Sequence, residues 1–180
     1  MRFDVHHAVG VVIDIQERLF PHIHDHDALA ARCAMLIKGL RILNVPILVS
    51  EQYVKGLGPT IPSISEALGT FEPREKITFS CCGDMGFESE LLSRTRHQVI
   101  VMGIETHVCV QQTVLDLLAS GNRVMVIEDC VSSRNPNDKQ IAIERMRQAG
   151  AIISTAESVL FELLRKAGTD TFKQISALVK

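Results

Sequence analysis

The chain has 180 residues, 46% hydrophobic and 22% charged, with no tryptophan, a single tyrosine at Tyr53 and a formal charge of −2. That length suits one core of ordinary size and a single domain over residues 1–180. The near balance of charge and the scarcity of stacking side chains exclude an electrostatic footprint for nucleic acid or an anionic membrane.

The opening segment MRFDVHHAVG lacks the basic-then-apolar order of a secretory leader. No apolar run approaches the ~18 residues of a membrane span, so a cytoplasmic protein without membrane attachment is expected. AVGVVIDI (8–15) is a short apolar run ending in charge, with no room for a helical stripe, and predicts a strand buried on both faces. PHIHDHD (21–27) reads as a polar loop whose His22, His24 and His26 could chelate a metal if extended. A helical pattern over 27–43 leads to a second strand run, VPILVS (45–50). The stretch from 50 to 75 carries Pro59, Pro62, Pro73, Gly56, Gly58 and Gly69 and predicts a long functional loop. KITFS (76–80) alternates like a strand, 87–95 like a helix, and QVIVMGI (98–104) is again a buried strand run. A helix over 107–119, a strand over 123–131, a helix over 137–149, a strand over 151–155 and helices over 157–167 and 170–179 complete the chain. Asn135 followed by Pro136 is a helix-starting pair, and Gly121, Gly150 and Gly168 stand where helices should stop. Regular alternation of strand and helix predicts an α/β fold, a parallel sheet covered by helices on both faces.

In such a sheet ligands bind beyond the carboxyl ends of the strands, which directs attention to Asp14, Glu51, the segment Gly103 to Cys109, and Asp129. Asp14 reads either as a carboxylate at the sheet rim or as a helix cap, because Glu17 follows at capping-box spacing. Cys109 reads either as a small buried apolar residue or as a nucleophile. With Thr106 as N-cap, Cys109 would lie in the first turn of a helix, where unpaired amides and the helix dipole bring a thiol pKa down to roughly 3.5–7.5. A nucleophile needs a base and an oxyanion donor; Asp14 and first-turn amides could supply them, and Lys76 could hold the charge or could be a solvated lysine at a strand start. His107 lies two residues from Cys109 and would not face it on a helix. KGLGPT lacks the GKS or GKT end of a phosphate loop and no GxGxxG occurs, which disfavours a nucleotide. The five cysteines are odd in number, form no CxxC pair, and are expected as reduced thiols.

Asp14 in VVIDIQ, Lys76 in REKITFS and Cys109 in GIETHVCV, in this order and spacing, resemble the isochorismatase-like cysteine hydrolases, a family that includes nicotinamidases and N-carbamoylsarcosine amidases. The resemblance runs from residue 8 to about 165, and the loop EQYVKGLGPT is similar to that of a subgroup with poorly defined substrates. It implies a three-layer α/β/α sandwich around a six-stranded parallel sheet and a catalytic triad of Asp14, Lys76 and Cys109. It also implies a cis peptide between Ile104 and Glu105, with the amides of Glu105 and Cys109 as oxyanion hole. A homo-oligomer, dimer or larger, is implied as well. The histidines of the metal-binding nicotinamidases are missing from SEQYVKGLGPTIP, so no metal and no cofactor are expected. A small-molecule substrate is expected in a pocket drawing on Gln16, Phe20, Glu51, Gln52, Tyr53, Thr106 and His107. Retention of Cys109 favours cleavage of an amide or related acyl carbon through a thioester. Vinyl-ether hydrolysis without a covalent step, or a non-catalytic binding member of the fold, are the alternatives.

Overall fold

The structure is a computed structural model and describes residues 2–93 and 95–180. The apolar runs become six strands: β1 (Ala8–Ile13), β2 (Ile47–Gln52), β3 (Arg74–Lys76), β4 (Gln98–Ile104), β5 (Arg123–Ser132) and β6 (Ile152–Ser154). They form one sheet in the order β3-β2-β1-β4-β5-β6, parallel at every pairing. The helices are α1 (His26–Ile42), α2 (Val54–Leu57), α3 (Pro62–Leu68), α4 (Met85–Ser93), α5 (Gln111–Ala119), α6 (Pro136–Gln148), α7 (Ala156–Leu164) and α8 (Asp170–Leu178).

Period-two alternation along the strands sorts the core into two layers. Val12, Val49, Ile100, Met102, Met125 and Ile127 face α1, α3, α7 and α8. Val9, Val11, Ile13, Leu48, Val99, Val101, Val124 and Val126 face α4, α5 and α6. Both faces are covered, giving the α/β/α sandwich around a six-stranded parallel sheet. The chain runs outward from β1 through β2 to β3, then returns to place β4 on the other side of β1. The carboxyl ends of β1 and β4 therefore flank the point where strand order reverses, which is where an open α/β sheet leaves a crevice.

Three sequence expectations are corrected. The stretch 50–75 is not an irregular loop: it completes β2, forms α2 and α3, and begins β3, with Pro62 in the first turn of α3. The edge strand β3 is Arg74–Lys76 rather than 76–80; beyond Lys76 the chain leaves the sheet edge, and Ile77 and Phe79 stand 71% and 54% exposed. The helix expected to run to Gly168 ends at Leu164, because Arg165 adopts a left-handed conformation and donates from Nη2 to the Phe3 carbonyl. Asn135 caps α6 as expected, its Oδ1 accepting from the Asn137 amide at 3.0 Å. Among the described residues no helix is long and apolar enough to cross a membrane.

Candidate active site

β1 delivers Asp14 directly beyond its last residue, in the left-handed region (φ 52°) and fully buried. The carboxylate is not a helix cap. Its Oδ2 accepts from Lys76 Nζ at 2.6 Å and its Oδ1 from Ser50 Oγ at 2.7 Å. Ser50 lies level with Ile13 in the neighbouring strand, so the sheet register itself brings the hydroxyl to the acid.

Lys76 is equally removed from water and is not a solvated lysine. It closes β3, and its ammonium also donates to Gln52 Oε1 at 2.7 Å and to the Thr78 carbonyl at 3.3 Å. All three N–H bonds of the ammonium thus have acceptors, the condition under which a buried ion pair is tolerated. The Gln52 amide is fixed in turn by donating to the Ile77 carbonyl at 2.7 Å.

Cys109 arrives from β4. Gly103 pairs with Ile13 at a φ of +133°, and a Cβ placed there would stand 2.1 Å from the Ile13 carbonyl oxygen, so only glycine permits the approach of the two strand ends. The peptide between Ile104 and Glu105 is cis. A π-helical turn, Thr106–Val110, then carries the cysteine before α5 begins. Thr106 is therefore not the expected N-cap; its hydroxyl is buried without a hydrogen-bond partner. Nor is the thiol acidified. Burial pushes the Cys109 pKa well up from its ordinary value, the Asp14 charge raises it further, and Lys76 offsets only part of this. Burial beside the Lys76–Asp14 ion pair thus favours the Cys109 thiol over its thiolate.

Behind these three groups runs a buried chain of hydrogen bonds that the sequence reading missed. Cys81 Sγ donates to Ser50 Oγ at 3.4 Å, the Cys81 amide donates to Thr113 Oγ1 at 3.0 Å, and Thr113 Oγ1 donates to the Cys109 carbonyl at 2.7 Å. With the Ser50 bond to Asp14, Asp14 and Cys109 are joined through three residues, Ser50, Cys81 and Thr113. The available signals were that Ser50 closes the second apolar run and that Thr113 lies four residues past Cys109, one helical turn on.

The remaining pocket candidates divide. Gln16 is fully buried and spends its side chain on the fold: Oε1 accepts from the Gln52 amide at 2.7 Å, and Nε2 donates to the carbonyls of Gln52 and Gly58 at 3.0 and 2.6 Å. Glu51 likewise clamps Thr60, accepting from its amide and its hydroxyl at 2.7 Å each. Phe20 packs on the α1 side of the core, its ring centroid 5.0 Å from that of His26. These three are internal braces, not free pocket walls. Tyr53 is half exposed and, with Lys55, Ile77, Thr78 and Asp84, lines a groove of about 690 Å³ that reaches Lys76. His107 shares the cysteine turn, its Nδ1 2.9 Å from Ser133 Oγ and its Nε2 4.0 Å from Asp138. Glu105 Oε2 accepts from Arg134 N at 2.9 Å and Nε at 3.0 Å. Asp129 caps the start of α7 by accepting from the Ala156 amide at 2.9 Å. His24 gives its backbone amide to the Ser133 carbonyl and its carbonyl to Ser132, while His26 pairs with Asp27, so the three histidines do not converge. Among the described residues no group of three or more His, Cys, Asp or Glu side chains is placed to share a metal ion.

A model of the isochorismatase domain matches residues 8–158. The chain belongs to the isochorismatase family. Mouse isochorismatase domain-containing protein 2A is 40% identical over 174 residues, 96% of this chain and 82% of the mouse protein. Among solved structures, MAR1 ribonuclease from Caenorhabditis elegans superposes with a TM-score of 0.93 at 37% identity, covering 99% of this chain and 92% of that one. YcaC from Pseudomonas aeruginosa, solved with hexane-2,5-diol and covalent acrylamide, superposes with a TM-score of 0.91 at 25% identity, covering 98% and 91%. The isochorismatase domain thus spans both strand ends that build the site, from Asp14 to Cys109.

Proposed function

We propose that this isochorismatase-family protein is a cysteine hydrolase that cleaves a small amide or related C–N acyl substrate through a thioester on Cys109. The observation that carries the reading is the buried constellation itself: the Cys109 thiol stands beside the Asp14 carboxylate, which Lys76 Nζ clamps at 2.6 Å. In this scheme Asp14 accepts the Cys109 proton as Sγ attacks the acyl carbon. The carbonyl becomes a tetrahedral oxyanion held by the Glu105 and Cys109 amides, and Lys76 balances the shifting charge. Collapse breaks the C–N bond, and Asp14 returns the proton to the leaving amine. Asp14 then takes a proton from water, whose oxygen attacks the thioester; the acid departs and the proton returns to Sγ. Covalent acrylamide in the structure of the Pseudomonas aeruginosa relative supports a nucleophile in this fold.

We further propose that the substrate enters by the groove that Tyr53 shares with Lys76, that the protein works in the cytoplasm, and that it assembles as a homo-oligomer, which sedimentation velocity would resolve. The test of the chemistry is a panel of small amides followed by intact-mass analysis after rapid acid quench. An acyl adduct on Cys109, absent from Cys109→Ala, supports the scheme. Turnover retained in Cys109→Ala, or turnover with no adduct on a cysteine at any quench time, replaces it with direct hydrolysis of the vinyl-ether type. The name of the Caenorhabditis elegans relative favours RNA cleavage as a second reading. Loss of labelled RNA in wild type but not in Cys109→Ala would select it.

A further inference from the structure

The catalytic set occupies the carboxyl ends of the strands. At the opposite end, where β2 starts and the chain enters β4, a second cavity of about 690 Å³ opens between the last turn of α1, the end of α3 and the segment before β4. Arg41 reaches it from α1 and Arg96 from the approach to β4, and no aspartate or glutamate lines it. Each guanidinium is anchored on one side only. Arg41 Nη1 donates to the Ala67 carbonyl at 2.9 Å, and Arg96 Nη1 donates to the carbonyls of Val5 and Ala8 at 2.6 and 2.7 Å. Among the described residues neither has a carboxylate partner, although the chain carries more acidic than basic side chains. A guanidinium has five donors in a fixed fork, so each keeps Nη2 and Nε for a ligand. Beside the two cations the lining is mixed: Asn44 and Thr70 are polar, while Pro46, Leu68 and the partly buried ring of Phe71 form an apolar wall.

We propose that this cavity is a binding site, separate from the cysteine, for a small organic oxyanion: a phosphate or carboxylate group, held by Arg41 and Arg96, on a flat apolar body lying against Phe71. Two unpaired guanidiniums contributed by segments more than fifty residues apart in sequence supply convergent positive charge, and a planar fork matches an oxyanion bidentately. The apolar wall distinguishes the ligand from a bare inorganic ion.

Isothermal titration of the full chain with phenyl phosphate, inorganic phosphate and phenol tests this. Saturable binding of phenyl phosphate is expected, with inorganic phosphate at least tenfold weaker, phenol without measurable binding, and at least a tenfold loss of phenyl phosphate affinity in Arg41→Gln. Equal affinities for the two phosphates would overturn the apolar part of the proposal. No saturable binding, or an Arg41→Gln affinity within twofold of wild type, would overturn the whole. Because Arg41 also braces α3, backbone amide shifts of the unaltered protein give the second measurement. Phenyl phosphate should move the amides of Asn44, Leu68, Thr70 and Phe71; shifts confined to Thr78, Gly83 and Asp84 would place the ligand at the lysine groove and end the proposal.

Discussion

Asp14 acts on Cys109 in two opposed ways: its charge favours the protonated thiol, yet in the proposed scheme it is the acceptor that takes the proton when substrate arrives. Asp14→Asn removes both the charge and the base. The onset of Cys109 alkylation by iodoacetamide, read by mass spectrometry against the other four cysteines, should lie above the ordinary thiol value of 9.0 in wild type and move to lower pH in the variant. Amide turnover should nonetheless fall by roughly 10²–10⁴-fold, the usual contribution of a positioned acid–base group. An onset that moves upward, or turnover that survives, contradicts this assignment. Ser50 stands one bond further out. Ser50→Ala leaves a buried carboxylate oxygen without its 2.7 Å donor and should cost about 1–3 kcal/mol in urea unfolding. At this scale the gathering of Asp14, Lys76 and Cys109 was legible in the sequence from their order and company. The low thiol pKa was not correctly legible, because helix-turn position suggests acidification whereas burial and a neighbouring charge, which only the fold reveals, dominate.

Strand ends and turns decide where those residues meet. Gly103→Ala would drive a methyl group into the Ile13 backbone at 2.1 Å, contact with main chain rather than with a flexible side chain that could move aside. The variant should unfold with a loss above about 4 kcal/mol, the range reserved for severe steric or buried-charge defects; a loss below 1 kcal/mol in chemical denaturation would mean that β1 and β4 can separate cheaply. Buried central strands were legible because both faces are apolar, leaving a run too short for a helix. The edge was harder. β3 pairs through only Arg74, Glu75 and Lys76, two charged residues pointing outward and one inward to Asp14, so its pattern carries no apolar signal at all. The alternation read at 76–80 belongs instead to a turn that wraps the lysine, with Ile77 and Phe79 outside. Gln16 and Glu51 were misread for a related reason: polar residues near a crevice look like pocket walls until their hydrogen bonds are seen to end on the loop that they brace.

Across the whole molecule, five thiols sit in or beside the core and four have pKa values raised by burial, Cys81 to about 11 and Cys82 to about 12, with Cys109 and Cys130 also raised. The folded protein keeps protons that the unfolded chain releases near the ordinary value of 9.0. This contribution to stability is therefore fully present below pH 9 and declines as pH rises through 9 towards 11 and 12. Urea midpoints should be flat in this respect between pH 7 and 8.5 and drop steeply above pH 9. A Cys81→Ser, Cys82→Ser double variant should show a shallower alkaline drop, and an unchanged slope would remove the thiols from the explanation. A parallel sheet covered on both faces was legible at this scale from the alternation of strand and helix; the order of its strands was not. Nor was the arginine-lined cavity at the opposite end of the sheet from Asp14, Lys76 and Cys109, because sequence neighbours do not report which strand end they share.

The π-helical turn at Thr106–Val110 has a further consequence. It absorbs one residue more than an α-turn, and each residue of a helix rotates its successor by about 100°. The stripe of Val110, Val114 and Leu117 must face the sheet to fill the core, while Cys109 must face Asp14. A uniform α-helix beginning at the same strand end would satisfy one of these directions and miss the other. The extra residue works as a vernier, setting the angle of the Cys109 side chain independently of the angle of the helix. Ordinary repacking of α5 can therefore drift without turning the sulfur away, whereas deletion of a single residue between Glu105 and Gln111 would leave a sound hydrophobic core and a cysteine aimed at nothing.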